Sequence, residues 1–242
     1  ASATEVWFVN EPIRRWHQKL YPQHADRMHV VANGFDAELA HFSNAVRPGR
    51  SSGLVFGYVG TMSAQVPLDA MLDGWRLARA KDPLVAASTL EFFGHLGHAG
   101  APNSRWVSLL EERASDGVVY RGPVSKTELA PVYSSFDALV LMLGTGRYVT
   151  SGKVYEYCAT GLPVVSVHDP TNAASDVLTG HPAWSATSDL SPAAIADALI
   201  GGAALSLAQT DTDRAAVQTW ARQFDREQQL EPRISSLRGL VS

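Results

Sequence analysis

The chain has 242 residues, 45% hydrophobic, 18% charged and 9% aromatic, with a formal net charge of −4. This composition excludes disorder and a fibrous repeat, and the slight acid excess leaves no basic footprint for a nucleic-acid partner. No apolar run reaches the roughly 18 residues of a membrane helix, and a single cysteine, Cys158, excludes a disulfide framework and fits a reducing compartment.

Ala1 to Asn10 lacks the basic, apolar and cleavage regions of a signal peptide. With no initiator Met, the expectation is a piece of a longer protein. Val6 to Val9 reads as a strand, Pro12 to Leu20 as a helix ended by Tyr21-Pro22, and Met28 to Ala32 as a second strand before the Asn33-Gly34 turn. The Ser-, Gly- and Arg-rich stretch at 43–53 reads as a linker.

A regular alternation follows. Strands are expected at Leu54 to Val59, Thr89 to Phe93, Val118 to Arg121, Asp137 to Leu143 and Pro163 to Val167. Helices fall between them. Leu68, Met71, Leu72 and Trp75 recur at helical spacing behind Pro67. Ser104 to Ala114 is helical, and Ser125-Lys-Thr-Glu128 is a capping box. Ser151 to Thr160 is a helix closed by Gly161 and Pro163. Ser191-Pro192 opens a helix to about Leu199, and Thr212 to Leu230 reads as one long last helix. The fold class is therefore α/β, a Rossmann-like doubly wound parallel sheet covered on both faces. Ligands of such sheets sit beyond the carboxyl ends of the strands.

Several phosphate and metal motifs are absent. Gly57-x-x-Gly60 lacks the dinucleotide spacing, and GTGRYVTSGKV fails as a P-loop because Arg147 and Val154 stand where Gly and Ser or Thr belong. His95 and His98 have no further ligand at zinc spacing, so no metal site is expected. Cys158 reads as a buried thiol.

The informative segment runs from Thr150 to Ser166. A polar loop leads into a helix at a strand's carboxyl end, so the amides near Ser151, Gly152 and Lys153 offer the positive end of a helix dipole to an anion. Gly152 lets a phosphate approach closely, and Lys153 adds a cation. Glu156, one turn on, is placed to accept hydrogen bonds from sugar hydroxyls. An exposed ion pair between Lys153 and Glu156 is the plainer alternative.

This SGK-x-x-E-Y-x-A-x-G-x-P-V-V stretch resembles the nucleotide-binding, C-terminal domain of retaining GT-B fold glycosyltransferases of the group 1 type. The order of other segments strengthens the resemblance: Val30-Val-Ala-Asn-Gly-Phe-Asp36 is similar to the interdomain hinge, Phe56-Gly-Tyr-Val-Gly-Thr61 to the first strand and phosphate loop, and Val119-Tyr-Arg-Gly-Pro-Val124 to a later strand of the donor domain. Trp220 and the residues after it resemble the helix that crosses back to the other domain. The resemblance implies that the donor is a UDP- or GDP-sugar and that neither cofactor nor metal is needed. Glu156 would bind the ribose, with Ser151, Gly152 and Lys153 at the diphosphate. Gly60 and Thr61 would approach the phosphates or sugar, while Arg121, Gly122 and Val124 lie by the base. It also implies a division into 1–35, a remnant of an acceptor domain with the hinge; 36–53, a linker; 54–210, the donor domain; and 211–242, the crossover helix.

Two departures stand out. Tyr148 occupies the position of the first Glu in the usual Glu-x7-Glu pair, and the first loop, Gly60-Thr-Met-Ser-Ala-Gln65, has no cation. Lys153 would then carry the diphosphate charge alone, with Gln65 as a hydrogen-bond donor or Arg147 as a second positive charge. The expected protein is a hexosyltransferase whose missing N-terminal domain binds a glycan, lipid or small-molecule acceptor, so that this fragment is inactive alone. It is expected in the bacterial cytoplasm or peripheral at the inner membrane face. Rival readings are a sugar-nucleotide epimerase of the same fold, for which no acidic cluster is evident, and a non-catalytic nucleotide-binding module.

Overall fold

A computed structural model describes residues 3–37, 53–97, 103–144, 146–148 and 150–239. Most of the expected linker, and His98, lie outside these residues.

The amino-terminal segment forms β1 (Val6–Phe8), α1 (Glu11–Leu20) and β2 (Met28–Val30), with β1 and β2 paired in parallel. Asn10 caps α1 by accepting from the Ile13 amide at 3.0 Å.

The main sheet follows. Its strands are β3 (Val55–Val59), β4 (Thr89–Phe93), β5 (Val118–Gly122), β6 (Ala138–Met142), β7 (Val164–Val167) and β8 (Trp184–Ala186). They are all parallel in the order β5-β4-β3-β6-β7-β8. The intervening helices are α2 (Leu68–Lys81), the short α3 (Pro83–Ala86), α4 (Ser104–Glu112), α5 (Leu129–Ser134), α6 (Gly152–Ala159) and α7 (Ala173–Leu178). After β8 come α8 (Pro192–Ala208), α9 (Asp211–Ala221) and α10 (Arg226–Arg238).

Strand β6 shows why the sheet needs helices on both faces. All five of its residues are buried. Ala138, Val140 and Met142 pack into one core with Trp75 of α2 and Leu199 of α8, while Leu139 and Leu141 pack into the other with Val154 and Cys158 of α6. The period of two along the strand sends alternate side chains to opposite layers.

Two readings of the sequence are corrected. Helix α8 continues past Leu199 to Ala208, because Gly201-Gly202 does not cap it: a Cβ on Gly202 would lie 2.2 Å from Val165 Cγ2, so this glycine serves close helix–sheet packing. The last helix is not continuous. It breaks at Asp225, whose extended backbone (ψ 129°) lets its side chain cap α10 through the Gln228 amide at 3.0 Å. Phe35 takes over the bonding at the break, donating to Phe224 O and accepting from Arg226 N, both at 3.1 Å. The segment around Phe35 thus wedges into the helix, and α10 runs on against the amino-terminal segment, where Ser236 and Arg233 meet Glu5. Helix α7 and strand β8 were not read from the sequence.

Candidate functional site

The strand order reverses direction between β3 and β6, and there the sheet opens. Only Phe56↔Ala138 and Gly57↔Leu139 pair across this seam. Beyond them the end of β3 is held by α6 instead: the Val59 amide donates to Tyr157 Oη at 2.8 Å, and Tyr157 Oη donates to Val59 O at 3.1 Å. The side chain of a helix residue thus replaces a ladder partner. The amino end of α6 is brought to the mouth of the seam, where crevices of doubly wound sheets lie.

A cavity of about 240 Å³ sits at this mouth, lined by Thr61, Ser63, Gln65, Gly144, Ser151, Lys153 and Asn172 among others. Ser151 is the N-cap of α6, and its Oγ accepts from the Lys153 amide at 3.3 Å. Among the described residues outside its own helix backbone and chain neighbours, a Cβ on Gly152 would meet nothing within 4 Å, so the backbone here is open on that side. An anion can reach the first-turn amides there without displacing protein.

Lys153 reaches across the seam. Its Nζ donates to Tyr58 Oη and to Thr61 O, each at 2.7 Å, and lies 4.6 Å from the centre of the Tyr58 ring. Burial lowers its pKa to about 8, against the charge of Glu156, which raises it. Gly60 makes room for this side chain: with φ +121°, a Cβ there would stand 2.2 Å from Lys153 Cε. Lys153 and Glu156 do not form the plain ion pair, since among the described residues no carboxylate lies within 4 Å of the ammonium.

Glu156 is half-buried one turn further on. Burial raises its pKa, opposed by the positive charge of Lys153; Asp36 raises it further, and Arg226 and Lys126 lower it. The buried Tyr133 hydroxyl hydrogen-bonds to it. Glu156 does not line the small cavity.

The residues that the resemblance places by a base are set apart from this mouth. Arg121 makes a two-pronged contact with Glu91 of the neighbouring strand, at 2.9 and 3.1 Å, so its guanidinium is already engaged. Gly122 has φ +81° and open space where a Cβ would project, and its carbonyl accepts from Gly94 N at 2.8 Å. Val124 is partly buried against the α6-side core. The structure therefore gathers Gly60, Thr61, Ser151 and Lys153 at one mouth. Glu156 lies one turn away, and Arg121, Gly122 and Val124 lie across the ends of β4 and β5.

Arg147 stands outside this mouth. It lines a wider groove of about 930 Å³ with Trp16, Lys19, Tyr148 and Asp176, joined to the cavity through Asn172. Sequence reasoning missed Tyr58, Asn172 and Asn10. Asn172 caps α7 and donates to Gly144 O at 3.0 Å, fixing the floor of the cavity. Asn10 Nδ2 donates to Tyr148 O and Thr150 Oγ1, each at 2.9 Å, and ties α1 to the loop before α6. Only the Asn before a helix hinted at either cap. Among the described residues no three His, Cys, Asp or Glu side chains gather as metal ligands would.

The parallel sheet flanked by helices, with an open seam and a helix terminus at its mouth, is an α/β architecture of GT-B type. The family model for Glycosyl transferases group 1 matches residues 53–202, and the chain belongs to that family. Among solved structures, it is similar to a glycosyltransferase from Rickettsia africae, with TM-score 0.76 and 11% identity over 99% of this chain and 64% of that one. It is also similar to the UDP-forming α,α-trehalose-phosphate synthase of Burkholderia vietnamiensis, with TM-score 0.69 and 15% identity over 98% and 59% of the two chains. The Anabaena protein HepE, in complex with UDP and glucose, gives TM-score 0.66 and 17% identity over 97% and 63%. At these identities the likeness is one of fold. The chain spans less than two thirds of each of these structures. No curated protein sequence matches it.

Proposed function

We propose that this chain is the C-terminal, donor-binding half of a retaining glycosyltransferase that takes a UDP- or GDP-sugar. The observation that carries this reading is the amino end of α6, open at Gly152 and flanked by Lys153, at the seam between β3 and β6. A diphosphate seated there meets backbone amides, a helix dipole and an ammonium without a metal ion. HepE is in complex with UDP and the trehalose-phosphate synthase is UDP-forming, which favours UDP.

In the reaction the bond between the anomeric carbon and the β-phosphate oxygen breaks. Its electron pair goes to that oxygen. The α6 terminus and Lys153 stabilise the charge that develops on the leaving diphosphate. The acceptor hydroxyl oxygen forms the new bond to the anomeric carbon on the face the diphosphate leaves, and its proton passes to the departing β-phosphate oxygen. Glu156 accepts from the ribose hydroxyls, and Gly122 and Val124 offer backbone to the base. A preceding domain supplies the acceptor site, so this chain alone binds donor without transferring sugar. The protein works in the cytoplasm or at the inner membrane face.

A second reading, a nucleotide-binding module without catalysis, is favoured by the cation-free first loop and by Tyr148, half-exposed where a Glu is usual. Calorimetric titration of UDP and GDP into the chain and into Lys153→Ala and Glu156→Ala tests the site. Binding of one nucleotide, weakened by both substitutions, supports it, and binding of neither refutes it. Transfer from a labelled nucleotide sugar by the full-length protein separates the two readings.

A further inference from the structure

We propose that Tyr58 is a positioning residue of the donor site: its hydroxyl holds Lys153 over the first loop, so that the ammonium meets the diphosphate already in place. This rests on the nucleotide reading of the α6 terminus.

Tyr58 sits near the end of β3 with its ring buried against Phe92. Packing alone would be satisfied by phenylalanine. The hydroxyl is what distinguishes it, and it has two bonds: it accepts from Lys153 Nζ at 2.7 Å and donates to Thr61 O at 3.1 Å. The Thr61 carbonyl closes the triangle by accepting from Lys153 Nζ at 2.7 Å. An ammonium has three N–H donors. Two are spent on this triangle, which leaves one for the cavity that Lys153 lines.

The arrangement matters because the first loop has no cation of its own. A lysine side chain is long and flexible. Without the hydroxyl, Nζ keeps one acceptor and the ring face but loses the contact that sets its direction. The hydroxyl also helps the ammonium stay charged in a buried setting. The titratable groups facing Lys153 are few. Tyr58 is held neutral by burial, Tyr157 lies behind it on α6, and Glu156 is the carboxylate whose charge Lys153 feels.

The test uses the whole chain and Tyr58→Phe, which keeps the ring. The sequence has only four lysines, Lys19, Lys81, Lys126 and Lys153, so 13Cε-lysine NMR resolves the titration of each. In the parent protein burial should bring the Lys153 midpoint down to about 8. In Tyr58→Phe the midpoint falls by about one pH unit, the size expected for one hydrogen bond lost by a charged group. UDP affinity, measured well below both midpoints, falls about tenfold, and the loss of affinity on raising the pH sets in earlier. In a Lys153→Met background the same substitution leaves UDP affinity unchanged. An unmoved lysine midpoint, or losses that simply add in the double variant, would overturn the proposal even if Tyr58→Phe lowers the melting temperature. Should neither UDP nor GDP bind the parent chain, the nucleotide reading fails and the positioning role with it. The lysine titration then still decides whether the hydroxyl holds the ammonium.

Discussion

Replacing Gly152 by alanine adds one methyl group at the first residue of α6, and the structure lets its effects on folding and on binding be separated. Gly152 has no positive φ, and among the described residues beyond its own helix backbone and chain neighbours the added Cβ would meet no atom within 4 Å. In the free protein the substitution therefore carries no clash. It relieves the glycine penalty in a helix, about 0.5–1 kcal/mol at interior positions and less at a first turn. Stability should rise by about 0.5 kcal/mol, or roughly 1–2 °C in Tm for a chain of this size. The methyl group nonetheless stands in the open space through which a phosphate oxygen would approach the first-turn amides. If the diphosphate sits there, UDP affinity falls by about tenfold, equivalent to about 1.4 kcal/mol. Denaturant unfolding measures the first effect and calorimetry the second. A variant that is more stable and binds UDP as tightly as the parent would refute the placement of the ligand at this terminus.

Three further outcomes are expected. Gly60→Ala forces φ +121° on an alanine and pushes Lys153 Cε from its place; it should cost about 1–3 kcal/mol in denaturant unfolding and weaken UDP binding, whereas parent-like affinity would mean that Lys153 is not held against this loop for binding. Asn10→Ala removes the cap of α1 and the donor to Tyr148 O and Thr150 Oγ1, and should cost about 1–3 kcal/mol; a loss under about 0.5 kcal/mol would show that α1 is not anchored through this residue. Stability and binding respond to pH in opposite senses. Lys153 has a folded pKa lowered from 10.5 to about 8, so between these values the unfolded chain binds more protons and this group's contribution to stability rises with pH. UDP affinity moves the other way, falling above about pH 8 as the ammonium is lost, and calorimetry across that range reads it.

Much of the fold was legible because its signals are local. The apolar run Asp137 to Leu143 gave β6, the Ser125–Glu128 box is seen as the Glu128 carboxylate accepting from the Ser125 amide at 3.1 Å, and the helix read from Ser151 is α6, with Ser151 as its cap rather than its first residue. What escaped depends on partners far away in sequence. The break at Asp225 exists because Phe35 inserts there, and α8 runs through two glycines because one of them packs on Val165. The same limit applies at the site. Helical spacing placed Ser151, Gly152, Lys153 and Glu156 on one helix. It carried no trace of Tyr58, 95 residues away, on which the lysine is hung. Nor did it show that Glu91 already occupies Arg121, since that pairing requires the register of β4 against β5.

The most direct test of a donor site at α6 is a crystal structure of the chain with UDP, or with GDP if that is the nucleotide bound. The diphosphate oxygens should accept from the Gly152 amide and from Lys153 Nζ, with the ribose hydroxyls against the Glu156 carboxylate. A nucleotide found instead in the wide groove beside α1, with the amino end of α6 left to solvent, would contradict it.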